Sequence, residues 1–199
     1  MNRYCLLSLV ALAGCASPPE TIMPSFNPAG AAAKAISLFD ANKNGTLEGP
    51  ELEKSPGLKA ALALIDTNHD QALSAAEIEA RVRAYAKSSV AMYPVHITVK
   101  IDRIPLDGAN VTLVPEPFLE PPLKRISGIT DRLGIVTPKL EGMSLAEVNI
   151  GLYRVEITYK NPQGQDLPAK YNTETTLGLE VALDTPSLER GVTFDLSSR

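Results

Sequence analysis

Residues 40–51 are a short stretch in which oxygen-bearing side chains recur at regular places, with a glycine at the sixth position. Ca²⁺ takes about six to eight oxygen ligands in a flexible geometry, so one loop can surround the ion by pointing alternate residues inward. Gly45 stands where such a chain must bend sharply, often with φ above zero. The spacing therefore predicts a Ca²⁺ site. Its expected ligands are Asp40, Asn42, Asn44, the backbone carbonyl of Thr46, Glu48 (directly or through a water), and Glu51 through both carboxylate oxygens.

Residues 66–77 repeat this arrangement after 26 residues. The expected ligands are Asp66, Asn68, Asp70, the carbonyl of Ala72, Ser74 (directly or through a water) and Glu77. Gln71 stands where the first loop has its glycine. A left-handed backbone costs a non-glycine residue about 1–2 kcal/mol, so we expect the second site to be weaker or distorted.

The two loops resemble the calcium-binding loops of the EF-hand family, and the resemblance covers residues 31–88. The first loop matches the family pattern at every defined position, and the second departs from it at Gln71. Leu47 and Leu73 both occupy the eighth place. In paired EF-hands this residue belongs to a short strand that joins the loops, which implies one cooperative unit. The alternative is a pair of polar, Asx-rich turns between helices.

The N-terminal residues indicate export. Residues 1–14 combine Arg3 with a short apolar run, which is typical of a secretory signal peptide and too short to cross a bilayer. Residues 12–15 end in Cys15 and resemble the lipobox of bacterial lipoproteins. This resemblance implies lipidation of Cys15, and Ala16 in the next place favours the outer membrane of the cell envelope. Cleavage near Ala16 by an ordinary signal peptidase is the alternative.

Cysteine usage agrees with this interpretation. The chain has two cysteines, Cys5 within the signal peptide and Cys15 at the lipidation position. The mature chain would then carry neither a disulfide nor a free thiol, which excludes thiol chemistry unless Cys15 stays unmodified. More than one lipid chain would be needed for stable membrane attachment.

We expect two folded parts behind a tether, and hence an α+β protein of two domains. Residues 15–30 contain four prolines and predict an extended tether. Helix-spaced apolar residues in 31–90 predict short helices around the loops, with Ser55 as a cap before Pro56 and a capping box from Ser74 to Glu77. We expect this part to fold independently of residues 91–199, with Ca²⁺ stabilising mainly the helical one.

Residues 91–199 change to a period of two. Segments within 95–101, 106–115, 126–130, 135–137, 148–159, 177–181 and 192–196 predict seven strands separated by turns, as in an antiparallel β-sandwich. The runs 104–113 and 151–157 resemble the carboxypeptidase regulatory-like, or transthyretin-like, domain, which implies a prealbumin-like sandwich. The proline-rich residues 114–122 have no place in that pattern and read as an insertion or edge connection.

The remaining features narrow the function classes. The formal net charge is −4 and there is no basic patch, so we do not expect nucleic acid as a partner. No nucleophile, dinucleotide or zinc-protease motif is present, and His69 and His96 are expected to be exposed and non-catalytic. No small-molecule substrate is evident. The absence of tryptophan and an aromatic content of 5% argue against sugar binding by the sandwich, although Tyr153, Tyr159 and Tyr171 could still stack on a sugar.

Three hypotheses follow. The first is a lipid-anchored, non-enzymatic calcium-binding protein whose sandwich serves as a spacer or contacts a protein or surface. The second is a calcium-dependent docking protein similar to dockerins, although dockerins lack the helix predicted before the first loop. The third is an accessory module of an envelope enzyme with a catalytic metal, which would need an open coordination position that the closing glutamates leave no room for.

Overall fold

The computed structural model describes residues 23–140 and 146–198. It is an α+β structure with few helices and several mostly antiparallel sheets. The helices are α1 (Pro28–Phe39), α2 (Pro56–Ala60), α3 (Leu62–Ile65), α4 (Ala75–Ala86) and α5 (Pro186–Arg190), with 3-10 turns at Gly49–Lys54, Pro117–Leu119 and Ala169–Tyr171. The strands are β1 (Thr46–Glu48), β2 (Ala72–Ser74), β3 (Met92–Tyr93), β4 (Ile97–Ile101), β5 (Ile104–Pro105), β6 (Asn110–Pro115), β7 (Ile126–Ile129), β8 (Ile135–Val136), β9 (Val148–Asn149), β10 (Gly151–Thr158), β11 (Gly178–Val181) and β12 (Val192–Leu196).

The helical part begins inside the stretch predicted as a tether. Asn27 accepts a hydrogen bond from the Gly30 amide, and Pro28 takes the first turn of α1, where its missing N–H costs nothing. The predicted tether is therefore wrong for residues 28–30. Signal residues 1–14, Cys15 and the tether up to residue 22 lie outside the described residues.

The helix ends differ in how well the sequence predicted them. The capping box of α4 is confirmed, since Ser74 Oγ accepts from the Glu77 amide and the Glu77 carboxylate accepts from the Ser74 amide. Ser55 precedes α2 as predicted, but its side chain makes no capping hydrogen bond. The Ser55 hydroxyl is instead fully buried and has no hydrogen-bond partner among the described residues.

The strand part has two main sheets. One has the order β11–β10–β6–β7, and the other pairs β4 with β12, β5 and β8. Buried residues alternate with partly exposed ones along β4, whereas the neighbours Leu152 and Tyr153 in β10 are both fully buried, so both faces of β10 are covered. The other large, fully buried side chains include Ile97 and Leu113. Strands are present in all seven predicted segments, but the segment 148–159 divides into β9, which pairs with β3, and β10, which lies in the first main sheet. The arrangement is consistent with a β-sandwich-like domain. One neighbouring pair, β12 and β4, is parallel, so the wholly antiparallel sandwich is wrong at that position.

The helical and strand parts share one hydrophobic core that extends from Ala31 in α1 to Leu196 in β12. Helix α2 lies over strands β10 and β11. The approach is so close that a Cβ atom on Gly178 would lie 1.7 Å from the Pro56 carbonyl oxygen. The change from helix to strand falls near residue 90, as predicted, but the division into two independent domains is not confirmed, and this shared core favours folding as one unit.

Candidate metal centre

A two-stranded ladder aligns the two predicted loops. β1 and β2 pair antiparallel, with Leu47 opposite Leu73, Thr46 opposite Ser74 and Glu48 opposite Ala72. Both leucines are fully buried. The eighth residues of the two loops therefore meet in one register, which is the pairing that the EF-hand resemblance implied.

In the first loop, side-chain oxygens of the predicted ligands turn towards the backbone. Asp40 Oδ1 accepts from the amides of Lys43 (2.6 Å) and Asn44 (3.2 Å), and Asp40 Oδ2 accepts from Gly45 (2.9 Å). Asn42 Oδ1 accepts from the Asn44 amide. The Asn44 Oδ1 atom accepts from the amide and hydroxyl of Thr46, and Asn44 Nδ2 donates to Glu48 Oε1 at 2.9 Å.

The second loop repeats these bonds at equivalent places. Asp66 accepts from the amides of Asp70 and Gln71 at 3.2 and 2.9 Å. Asn68 Oδ1 accepts from the Asp70 amide, and Asp70 Oδ1 accepts from the Ala72 amide. Two stretches 26 residues apart thus fold into the same hydrogen-bonded frame.

The closing glutamates are buried and bonded within their loops. Glu51 Oε1 accepts from the amides of Ala41 (2.8 Å) and Asn42 (3.1 Å), and its Oε2 accepts from the Glu48 amide (3.3 Å). Glu77 accepts from Thr67 and Ser74 in the same manner. Burial opposes ionisation of Glu77, but the hydrogen bonds from Ser74 and Thr67 outweigh it, so the pKa of this carboxyl lies below its ordinary value.

The sixth residue of each loop is left-handed. Gly45 has a φ of 89°, and Gln71 has a φ of 65°, so the glutamine takes the conformation that the pattern reserves for glycine. The fourth residues, Lys43 and His69, also have positive φ values, of 63° and 61°. The backbone strain expected at Gln71 is therefore present.

The donor set of each loop fits a hard cation. Among the described residues, no group of three or more His, Cys, Asp or Glu side chains is arranged to hold a metal ion. The carboxylates are instead hydrogen-bonded to their own loops, and the remaining predicted donors are amide, hydroxyl and carbonyl oxygens. An all-oxygen set of this kind suits Ca²⁺ rather than Zn²⁺ or copper, which favour imidazole and thiolate ligands. A cleft of about 360 Å³, lined in part by Asn42, Glu48 and Glu51, lies beside the first loop.

The sequence interpretation missed an ionic cluster at the junction of the two parts. Arg81 on α4 donates from Nε to Glu180 on β11 at 2.6 Å and from Nη1 and Nη2 to Asp184 at 2.7 and 2.8 Å. The Tyr85 hydroxyl also donates to Glu180. The side chains of Arg81 and Glu180 are only 9% and 2% exposed. The only sequence feature that pointed to this cluster is Glu180, a charged residue within the otherwise apolar run 179–182.

A further buried carboxylate lies under α2. Glu116 is fully buried and accepts from the Gly57 amide through Oε1 at 2.7 Å, while its Oε2 has no hydrogen-bond partner among the described residues. Burial raises the pKa of Glu116 to about 7, against the lowering effects of the Gly57 amide and the Arg154 charge. Glu116 lies in the proline-rich stretch that the sequence left without a role.

The other residues singled out from the sequence are less informative. His69 and His96 are exposed, as predicted. Tyr153 is fully buried and Tyr171 is 8% exposed, so neither ring presents a face for sugar stacking, and only Tyr159 borders a surface cleft. No helix within residues 23–140 and 146–198 is long and apolar enough to cross a membrane.

Comparison with known proteins assigns no family. No protein-family model matches the chain, and no curated protein matches it. Among solved structures, the major pilin subunit of Bacillus cereus aligns with a TM-score of 0.29 and 13% sequence identity, covering 54% of this chain and 29% of the pilin chain. A likeness at this level supports no inference about function.

Proposed function

We propose that the chain binds Ca²⁺ through two EF-hand loops, with Asp40–Glu51 and Asp66–Glu77 as its metal sites. The observation that supports this most is the repeat of one hydrogen-bonded frame in both loops, aligned by the Leu47–Leu73 ladder. Each loop contains three carboxylate residues and several neutral oxygen donors within twelve positions of the sequence. This combination of charge and neutral donors is what Ca²⁺ requires.

In this proposal the strand part is a transthyretin-like β-sandwich, and the chain is attached to the bacterial cell envelope through lipid on Cys15. The chain has no catalytic role. A dockerin-like arrangement is disfavoured because α1 provides a full helix before the first loop and packs on α4.

Calcium titration should reveal two unequal sites. We expect the first loop to bind more tightly, because Gly45 takes its left-handed conformation without strain whereas Gln71 does not. The fifth residue has the opposite effect, because Asp70 of the second loop carries a charge that Asn44 of the first loop lacks, and this charge raises the Ca²⁺ affinity of the second loop. We expect dissociation constants on the order of 10⁻⁴–10⁻³ M.

The ranking is tested by calorimetric titration of Glu51→Gln and Glu77→Gln. The first substitution should remove the tighter site and the second the weaker one. A larger loss of affinity from Glu77→Gln would reverse the ranking, and wild-type protein that takes up no Ca²⁺ would refute the proposed function.

The lipid anchor has a separate test. Wild-type protein should partition with membranes and Cys15→Ser should be soluble, because two or more acyl chains bury enough CH₂ groups for stable attachment, at about 0.8 kcal/mol each. Mass spectrometry of the mature N-terminus reads the modification directly. An unacylated terminus at Ala16 or Ser17 would contradict this part of the proposal.

A further inference from the structure

Helix α4, which follows the second loop, is held on the β-sheet by the ionic cluster of Arg81, Tyr85, Glu180 and Asp184. Glu77, Arg81 and Tyr85 succeed one another at intervals of four residues, so they lie on one face of α4. The first closes the proposed metal loop, and the other two bond to Glu180 on β11. A guanidinium bound by two carboxylates has a fixed planar geometry, which restrains the tilt of the helix that carries it.

Helix α1, which leads into the first loop, is held against the strand part by the proline-rich stretch 114–122. The Phe118 and Leu119 side chains, 3% and 2% exposed, belong to the 3-10 turn that contacts α1. The Phe118 ring meets Phe39 edge-on, with centroids 6.4 Å apart. The Lys34 ammonium donates to the Pro117 carbonyl. The stretch 114–122 is therefore the element through which the strand part holds α1.

The middle of the helical part is held as well. Helix α2 donates from the Gly57 amide to buried Glu116, and it lies directly over Gly178 in β11. Calcium sensors of the EF-hand type respond to the ion by separating their helices and exposing an apolar groove for a partner. Here α1, α2 and α4 are each bound to the strand part of the same chain.

We infer that the strand part is the permanent intramolecular partner of the helical part. Ca²⁺ would then stabilise the whole chain and open no groove for an external peptide. This inference rests on the proposed calcium binding. The ion then has a structural role, and the Arg81 cluster links the second loop to the sheet.

The test is amide hydrogen exchange of the full chain with and without Ca²⁺, read by mass spectrometry. At a hundredfold excess over Kd, exchange should slow by up to about a hundredfold in the loops and also in β10 and β11. Binding of an apolar fluorescent dye should not rise. Protection confined to residues 28–86, or a calcium-dependent rise in dye binding, would overturn the inference.

Paired variants test whether the Arg81 cluster couples calcium binding in the second loop to the protection of β11. Arg81→Met with Glu180→Gln should reduce the calcium-dependent slowing in β11 while keeping it in the loops, because α2 still contacts β11 in this variant. The matched control is Arg83→Met with Glu79→Gln, a surface pair on the same helix with side chains 55% and 31% exposed, which should behave as wild type. Should the first variant fail to fold, Tyr85→Phe removes one hydrogen bond of the cluster and should reduce the slowing in β11. Unchanged slowing in a folded variant would overturn the role of the cluster.

Calcium titration of the same samples distinguishes failure of the inferred coupling from failure of calcium binding itself. Calcium binding without protection of β11 overturns the inference alone. Absence of any calcium binding overturns the proposed function and the inference with it.

Discussion

Replacing Arg81 by alanine is expected to lower the free energy of unfolding by about 3–5 kcal/mol, because it leaves a buried carboxylate without its cation. Glu180 is 2% exposed and accepts from Arg81 Nε at 2.6 Å, so little water can replace the lost guanidinium. Asp184, at 60% exposure, is hydrated once released and contributes less. Urea unfolding at neutral pH measures the change.

The control is Arg83→Ala on the same helix. Arg83 pairs with Glu79 at the surface, where its side chain is 55% exposed, so its loss should change stability by less than about 1 kcal/mol. Equal effects from the two alanine variants would show that the Arg81 cluster does not hold α4 on the sheet.

Replacing Glu116 by glutamine is expected to stabilise the protein at pH 8 and to have little effect at pH 4.5. The folded pKa of about 7 lies above the ordinary value of 4.5, so the folded state holds a proton that the unfolded state releases. Stability from this group is therefore fully present below pH 4.5 and is lost as the pH rises towards 7 and beyond. At 1.36 kcal/mol for each pH unit, the difference corresponds to about 3 kcal/mol.

The measurement is the pH dependence of unfolding for both proteins, since their difference isolates Glu116 from the other carboxyls. Glutamine retains an oxygen to accept from the Gly57 amide and removes the charge from a buried site. The control is Glu174→Gln at an exposed position, whose free energy of unfolding should differ from that of wild type by the same amount at every pH. A Glu116→Gln variant whose difference from wild type is also the same at every pH would contradict the expected ionisation of Glu116.

The sequence was most informative where the determining interactions are local. The bonds of Asp40 reach only to residues 43–45, and those of Glu77 only to 67 and 74, so the spacing within each loop was enough to predict its shape. The alternation of apolar residues likewise predicted strands in all seven segments, because side chains of a strand point to opposite faces in turn.

What only the tertiary structure decided are the contacts between distant segments. Arg81 and Glu180 are 99 residues apart, and Gly57 and Glu116 are 59 apart. The parallel pairing of β12 with β4 also joins the two ends of the strand part. Periodicity tells which face of an element is buried but not which other face covers it. Independent domains were thus a fair expectation from the change of period near residue 90, whereas the buried carboxylates at the junction exist only because α2 and α4 lie on the sheet.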